Sequence, residues 1–79
     1  MKQTLTHPRQ FGHILRARRK ALRLTQRDLA TKLAITQNRL SQIEADPSAI
    51  PLGRLLDISN ILGLDLTVQD RKSAAQTDW

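Results

Sequence analysis

The feature that most constrains the fold is residues 25–44, TQRDLATKLAITQNRLSQIE, where two short helical patterns follow one another with a two-residue break. Thr25 is a good N-cap, and Asp28 three positions later gives a capping-box-like start to the first helix. Thr36 offers a second N-cap directly after the break. The stretch therefore predicts two short helices joined by a tight turn.

The two helices differ in their inward and outward faces. Leu29, Ala30 and Leu33 fall on one stripe of the first helix, and Leu40 and Ile43 point inward from the second. The outward face of the second helix is polar. Two short helices with a tight turn and a polar outer face are typical of the helix-turn-helix motif.

The outer face is formed by amides, hydroxyls and one cation instead of the Lys–Glu pairs that keep an ordinary surface helix soluble. Its residues are Thr36, Gln37, Asn38, Arg39, Ser41 and Gln42. An amide offers a donor and an acceptor together, as the edge of adenine requires. The alternative interpretation is a solvated helical hairpin in a small bundle.

The charge distribution favours a polyanionic partner. The 79 residues carry a net charge of +6, but residues 1–40 hold ten Lys and Arg against Asp28 alone, a net +9. Residues 41–79 have a net charge of −3. Such asymmetry indicates nucleic acid. A membrane surface would need aromatic anchors, for which the candidates are only Phe11 and Trp79, so we expect no membrane partner.

The residues of most catalytic and metal sites are scarce. The sequence has no Cys, and its two histidines, His7 and His13, have no acid nearby to orient them. Its three glycines are isolated, so no phosphate-cradling loop is predicted. We therefore expect no enzyme, no metal, no cofactor and no small-molecule substrate. The absence of a signal peptide or an apolar span predicts a cytoplasmic protein.

Two further helices flank the motif. Pro8 starts one that runs to about Leu22, and its predicted buried stripe is formed by Phe11, Ile14, Leu15 and Leu22, with Ala17 and Ala21 beside it. After a loop at residues 45–49, Pro51 starts another that ends near Leu62. Its apolar arc comprises Leu52, Leu55, Leu56, Ile58, Ser59, Ile61 and Leu62. That arc is wider than one small core uses, which predicts contact with another subunit.

Residues 64–70, LDLTVQD, alternate strictly, with Leu64, Leu66 and Val68 on one side, and this period of two predicts a strand. The chain offers no second strand, so we expect pairing with the same segment of a second copy. A fifth short helix is the alternative.

The last residues, RKSAAQTDW, lack periodicity and predict a disordered tail. The domains are then residues 1–70, for DNA binding and dimerisation, and the tail 71–79. The tail ends on Trp79, the residue type most enriched at binding hot spots, so Trp79 is predicted to anchor a partner. The alternative is that Trp79 packs back onto its own domain.

The spacing of Gln26, Leu29, Ala30, Leu33, Ile35, Gln37, Leu40, Ile43 and Glu44 resembles the XRE/Cro-type helix-turn-helix family over residues 8–62. The resemblance implies a mainly α, four-helix, lambda-repressor-like domain. Arg23 and Ala34 stand where the family has glycine, at a cost of roughly 1 kcal/mol each in a left-handed turn.

A narrower resemblance covers the rest of the chain. The loop EADPS, the segment LDLTVQD and a polar tail ending in Trp are similar to the HipB-type antitoxins, the DNA-binding partners of HipA-type serine/threonine kinase toxins. This implies a homodimer with an intersubunit β-ribbon, an inverted-repeat operator, autorepression and capture of a HipA-type kinase. An XRE repressor with no toxin, or a protein-interaction module that binds no DNA, are the alternatives.

The family resemblance also implies roles for individual residues. The expected base-reading residues are Thr36, Gln37, Asn38, Ser41 and Gln42. Gln26, Arg27 and Arg39 are expected on DNA phosphates. Arg19 is the implied buried ion-pair partner of Glu44, whose charge otherwise lies unfavourably at a helix C-terminus.

Overall fold

The computed structural model describes residues 2–71, and four α-helices and one 3₁₀ turn form its regular structure. The helices are α1 (Pro8–Ala21), α2 (Gln26–Leu33), α3 (Gln37–Ala45) and α4 (Leu52–Ile61). The 3₁₀ turn, Pro47–Ala49, lies within the predicted loop after α3. The prediction of a mainly α, four-helix domain is confirmed.

The ends of α2 and α3 follow the predicted capping. The Thr25 side chain accepts from the Asp28 backbone N–H, and the Asp28 carboxylate accepts from the Thr25 backbone N–H, each at 3.0 Å. Thr36 Oγ1 accepts from the Arg39 backbone N–H, also at 3.0 Å. Because each cap satisfies N–H groups that the first helical turn leaves free, these two threonines fix where the helices begin.

Two residues adopt the left-handed backbone that the glycine replacements predict. Arg23 has a φ of 59° after α1, and Ala34 has a φ of 58° at the C-cap of α2. A Cβ in this region approaches the following carbonyl, so both turns form at the expense of stability. Gly63, after α4, also has a positive φ.

The core lies between α1, α2 and α3 and is closed by the end of α4. Its buried residues are Phe11, Leu15, Leu29, Ala30, Leu33, Leu40, Ile43, Ile58 and Leu62. Gly12 permits the close approach of α1 to α3, because a Cβ there would meet the Glu44 carbonyl oxygen. The inward residues predicted for α2 and α3 are all buried.

Leu22, predicted to lie on the buried stripe of α1, is outside this core, which corrects that prediction. The exposure of Leu52 and Leu56 agrees with the prediction that the apolar arc of α4 is wider than the core uses. Leu22 and Leu56 are exposed, and Leu52 is 69% exposed. Periodicity identifies the apolar face of a helix, but the width of that face in contact depends on neighbouring elements. In the single chain, α4 meets the core mainly through Ile58, Ser59 and Leu62.

Residues 64–70 form no strand within the part of the chain that the structure describes. A strand is defined by a hydrogen-bonded neighbour, and the alternating pattern of Leu64, Leu66 and Val68 has none in one copy. Pairing across a dimer therefore stays a prediction. The predicted anchor Trp79 lies outside the described residues, as does the tail beyond Arg71.

Hydrogen bonds from two arginine side chains connect α4 to α1 and α2. Arg18 Nε donates to the Leu62 carbonyl at 2.8 Å, and Arg54 Nη1 donates to the Leu33 carbonyl at 3.1 Å. Both carbonyls belong to helix C-terminal ends, where backbone acceptors otherwise lack partners. These contacts orient α4 against α1 and α2.

Candidate nucleic-acid interface

The outer face of α3 is exposed and polar. At about 100° per residue, Asn38, Ser41 and Gln42 lie near the middle of the exposed arc, with Gln37 and Arg39 at its two edges. Leu40, Ile43 and Glu44 lie on the opposite, buried side of the helix. The five outer side chains are therefore held by a helix whose inward face is fixed by the core.

Thr36 stands at the N-terminal edge of this face and already has a structural role. Its hydroxyl oxygen caps α3 through the Arg39 backbone N–H. The hydroxyl proton is still available as a donor, because the cap uses only an oxygen lone pair.

The start of α2 contributes Gln26 and Arg27. Arg27 is exposed, whereas Gln26 is half-buried and its Nε2 donates to Glu44 Oε1 at 3.1 Å. The Gln26 amide thus contacts the end of α3 before any ligand is present.

Arg19 and Glu44 lie together between α1 and α3, and both are buried. Arg19 Nε donates to Glu44 Oε2 at 2.7 Å, and Nη2 donates to Oε1 at 3.2 Å. Arg19 Nη1 donates to the Leu24 carbonyl at 2.9 Å. This pairing places the Glu44 charge next to a guanidinium and away from the exposed face of α3.

The basic surface is smaller than the cation count of the N-terminal half suggests. Arg19 is buried in the ion pair, and Arg18 is half-buried against Leu62. The cations of that half that remain exposed are Lys2, Arg9, Arg16, Lys20, Arg23, Arg27, Lys32 and Arg39. These are the side chains that can meet phosphates.

Two exposed acids flank the helices and are stabilised as carboxylates. Hydrogen bonds from Thr25, first from its backbone N–H and then from its side chain, lower the pKa of Asp28. The side chain and backbone of Ser48 lower the pKa of Asp46 in the same way. Neither acid lies on the outer face of α3, so that face carries no negative side chain.

The sequence patterns did not indicate several side-chain hydrogen bonds, most of which join residues far apart in the chain. They did not predict that the Gln26 amide contacts Glu44, that Arg18 and Arg54 bind helix ends, or that His7 caps α1. Only the capping had a local signal: Gln10, three residues after His7, completes a capping box.

Within residues 2–71 no group of three or more His, Asp or Glu side chains could hold a metal ion. No helix in the same range is long and apolar enough to cross a membrane.

A helix-turn-helix family model matches residues 15–69 of the chain. A curated relative, the uncharacterized HTH-type transcriptional regulator y4dL of Sinorhizobium fredii, is 36% identical over 58 residues, which are 73% of this chain. This chain spans only 30% of that regulator's length.

Two solved structures are similar along their whole length. A structure of a HipA–HipB–O2–O3 complex contains a chain that is 30% identical, with a TM-score of 0.79, covering 90% of this chain. A structure of the MDT protein gives 30% identity and a TM-score of 0.78 over 90% of this chain. All of the matched chain is covered in both cases.

Proposed function

Because the chain belongs to the XRE/Cro-type helix-turn-helix family, and is a DNA-binding transcriptional regulator, we propose that it is a repressor that binds an inverted-repeat operator as a homodimer. We further propose that it acts as the antitoxin of a HipA-type kinase toxin. The observation that carries the proposal is the acid-free outer face of α3 on a capped and internally braced helix.

The proposed base-reading residues are Thr36, Gln37, Asn38, Ser41 and Gln42. A helix of this size enters the major groove, where amide and hydroxyl groups can distinguish base edges by their donors and acceptors. Gln37 lies in the first turn of α3, the part of a recognition helix that comes closest to the bases. We therefore assign the largest share of sequence discrimination to Gln37.

The proposed phosphate contacts come from Gln26, Arg27 and Arg39. Arg27 and Arg39 are exposed, and Gln26 lies at the N-terminus of α2, where free backbone N–H groups also favour an anion. Such contacts position the protein without reading sequence. They also predict that affinity falls steeply with salt, since each neutralised phosphate releases counterions.

The homodimer proposal is supported by apolar side chains that one copy leaves in solvent. Leu52 and Leu56 on α4, and Leu66 and Val68 in the alternating segment, are all exposed. A second copy that paired residues 64–70 as a β-ribbon would supply the missing strand neighbour. Two α3 helices would then lie about 34 Å apart, one turn of DNA.

The antitoxin proposal is supported by the likeness to the HipB-type antitoxins and by the solved HipA–HipB complex. Trp79 is the proposed anchor for the kinase, because a large aromatic side chain at a chain end can fill a partner's pocket.

The DNA-binding proposal is tested by selecting duplexes from a random library and titrating the best of them by fluorescence anisotropy. We expect an inverted repeat to be selected and bound at least a hundredfold more tightly than random duplex. Equal, weak affinity for both would overturn the repressor proposal and favour a module that binds only proteins.

The toxin proposal is tested by purifying the untagged protein with its native partner. We expect a HipA-type kinase to copurify, and deletion of residues 72–79 to weaken its capture while sparing DNA binding. DNA binding without any copurifying kinase would favour a repressor that has no toxin.

A further inference from the structure

One carboxylate joins three of the four helices of this domain. Glu44, in the last turn of α3, accepts two hydrogen bonds from Arg19 of α1 and one from Gln26 of α2. Arg19 also holds the α1–α2 turn through the Leu24 carbonyl. The Gln26 amide, which we propose contacts a phosphate, is therefore hydrogen-bonded to a buried ion pair.

The chemistry of this contact fixes which end of the amide faces Glu44. A carboxylate only accepts hydrogen bonds, whereas a glutamine amide has an NH₂ that donates and an oxygen that accepts. Rotating the Gln26 amide by half a turn would bring its oxygen against the Glu44 oxygens and lose the 3.1 Å hydrogen bond. The amide is consequently held with nitrogen inward, and one of its two N–H groups remains free.

A phosphate requires a donor from this amide. Gln26 is the first residue of α2, so an anion at that helix N-terminus would lie beside its side chain. Because Gln26 is only partly buried, the free N–H of Nε2 is available to such an anion.

We infer that Glu44 is a positioning residue for DNA binding: it holds the Gln26 amide so that the same nitrogen bridges the carboxylate and a DNA phosphate. The inference rests on the proposed function and adds to it a residue that never touches DNA. The positive charge of Arg19, which is paired with Glu44 through two hydrogen bonds, offsets the negative charge of the carboxylate. Glu44 can therefore lie close to a phosphate, with only the Gln26 side chain between them.

The inference predicts a change in DNA affinity opposite to the change that charge alone would cause. Replacing Glu44 by Gln removes a negative charge near the DNA, which alone would strengthen binding. The replacement also exchanges one of the two acceptor oxygens for an NH₂ donor, so Arg19 and Gln26 must share a single oxygen and the orientation of the Gln26 amide is no longer fixed. If positioning is the larger effect, Glu44→Gln weakens binding about tenfold, the size expected for one charge-assisted hydrogen bond.

The test is a double-variant cycle on the full chain, measured by anisotropy with the selected duplex and with a random duplex. We expect Gln26→Ala and Glu44→Gln each to weaken both complexes about tenfold, because a phosphate contact carries no sequence information. The double variant should bind about as well as either single variant. Tighter binding by Glu44→Gln, or losses that multiply in the double variant, would overturn the inference and leave the proposed function intact.

Two controls separate positioning from loss of folding. Gln3→Ala removes an exposed glutamine in the segment before α1 and should leave affinity unchanged. Ile58→Val weakens the core on α4, away from Gln26, and should lower the melting temperature without changing affinity at a temperature where it is folded. A wild-type chain that bound no duplex would overturn the proposed function, and the inference with it.

The side-chain NH₂ of Gln26 gives a readout in the absence of DNA. In wild type we expect two distinct proton signals, one of them protected from solvent exchange by Glu44. In Glu44→Gln we expect weaker protection, because Arg19 and Gln26 then compete for one amide oxygen. Equal, rapid exchange of both protons in wild type would show that Glu44 does not hold the amide.

Discussion

Replacing Glu44 by Ala should destabilise this domain more than any substitution of an exposed acid. The change removes all three acceptor contacts of the carboxylate and leaves the Arg19 guanidinium buried with a single remaining hydrogen bond, to the Leu24 carbonyl. Gln26 loses its acceptor in the same step. A buried charge without a counter-charge is costly because the solvation it has lost is no longer offset.

The expected loss in the free energy of unfolding is about 3–5 kcal/mol, the usual cost of breaking a buried pair from one side. A chain of 79 residues has a total stability of about 4–12 kcal/mol. At about 4–8 °C for each kcal/mol in a domain of this size, the melting temperature should fall by at least about 12 °C.

The assay is thermal and urea unfolding followed by circular dichroism. Asp57→Ala is the matched control, because Asp57 is an exposed acid on α4 and its removal should change stability by no more than about 0.5 kcal/mol. The double variant Arg19→Met with Glu44→Leu should recover most of the loss, since it removes both charges and keeps the volume filled.

A melting temperature for Glu44→Ala no lower than that of Asp57→Ala would refute the reasoning. The reasoning would also be refuted if the double variant Arg19→Met with Glu44→Leu were as unstable as Glu44→Ala. The unpaired charge of Arg19 would then not be the cause of the lost stability.

The other stability predictions concern the turns and caps. Ala34→Gly and Arg23→Gly should each raise stability by about 1 kcal/mol, because glycine adopts positive φ without the steric cost of a Cβ; an unchanged or lower melting temperature would contradict the argument. Thr25→Ala should cost about 1 kcal/mol by removing the N-cap of α2, and a loss no larger than for an uncapped surface threonine would exclude that role. The pKa of Asp28 is lower in the folded than in the unfolded chain, so its contribution is present above its ordinary pKa of 3.8 and is lost as the pH falls through the folded value. Asp28→Asn should therefore flatten the fall of stability below pH 5 in urea titrations, and an unchanged slope would count against this cause.

The parts of the fold that the sequence predicted correctly are governed by local chemistry. Thr25 and Thr36 cap helices through N–H groups three residues away, and such contacts depend only on spacing. The left-handed conformations of Arg23 and Ala34 are implied instead by the family resemblance, in which glycine stands at both positions. The helix boundaries could therefore be predicted from residue types alone.

The prediction that needed correction, and the strand that stays a prediction, depend on distant parts of the chain or on a second copy. The apolar periodicity of α1 includes Leu22, but this residue lies at the end of the helix, outside the core, and its side chain is exposed. The alternating pattern of 64–70 likewise indicates a strand but does not contain the neighbour that a strand needs.

In the candidate site too, features set by local spacing could be predicted, and contacts between distant residues could not. The outer residues of α3 could be identified from the helical period, because the positions of Leu40 and Ile43 determine which face of the helix is buried and so which face is exposed. The hydrogen bond between Gln26 and Glu44 joins positions eighteen residues apart, and no local pattern indicates it. Sequence reasoning therefore named Gln26 without finding the contact that positions it.

The central claim, that the outer face of α3 reads DNA sequence, is tested most directly by comparing Gln37→Ala with Arg39→Ala on the selected and the random duplex. The account predicts that Gln37→Ala loses about 1–3 kcal/mol of binding free energy on the selected duplex and little on the random one, whereas Arg39→Ala weakens both alike. A uniform loss for Gln37→Ala across both duplexes would contradict the claim.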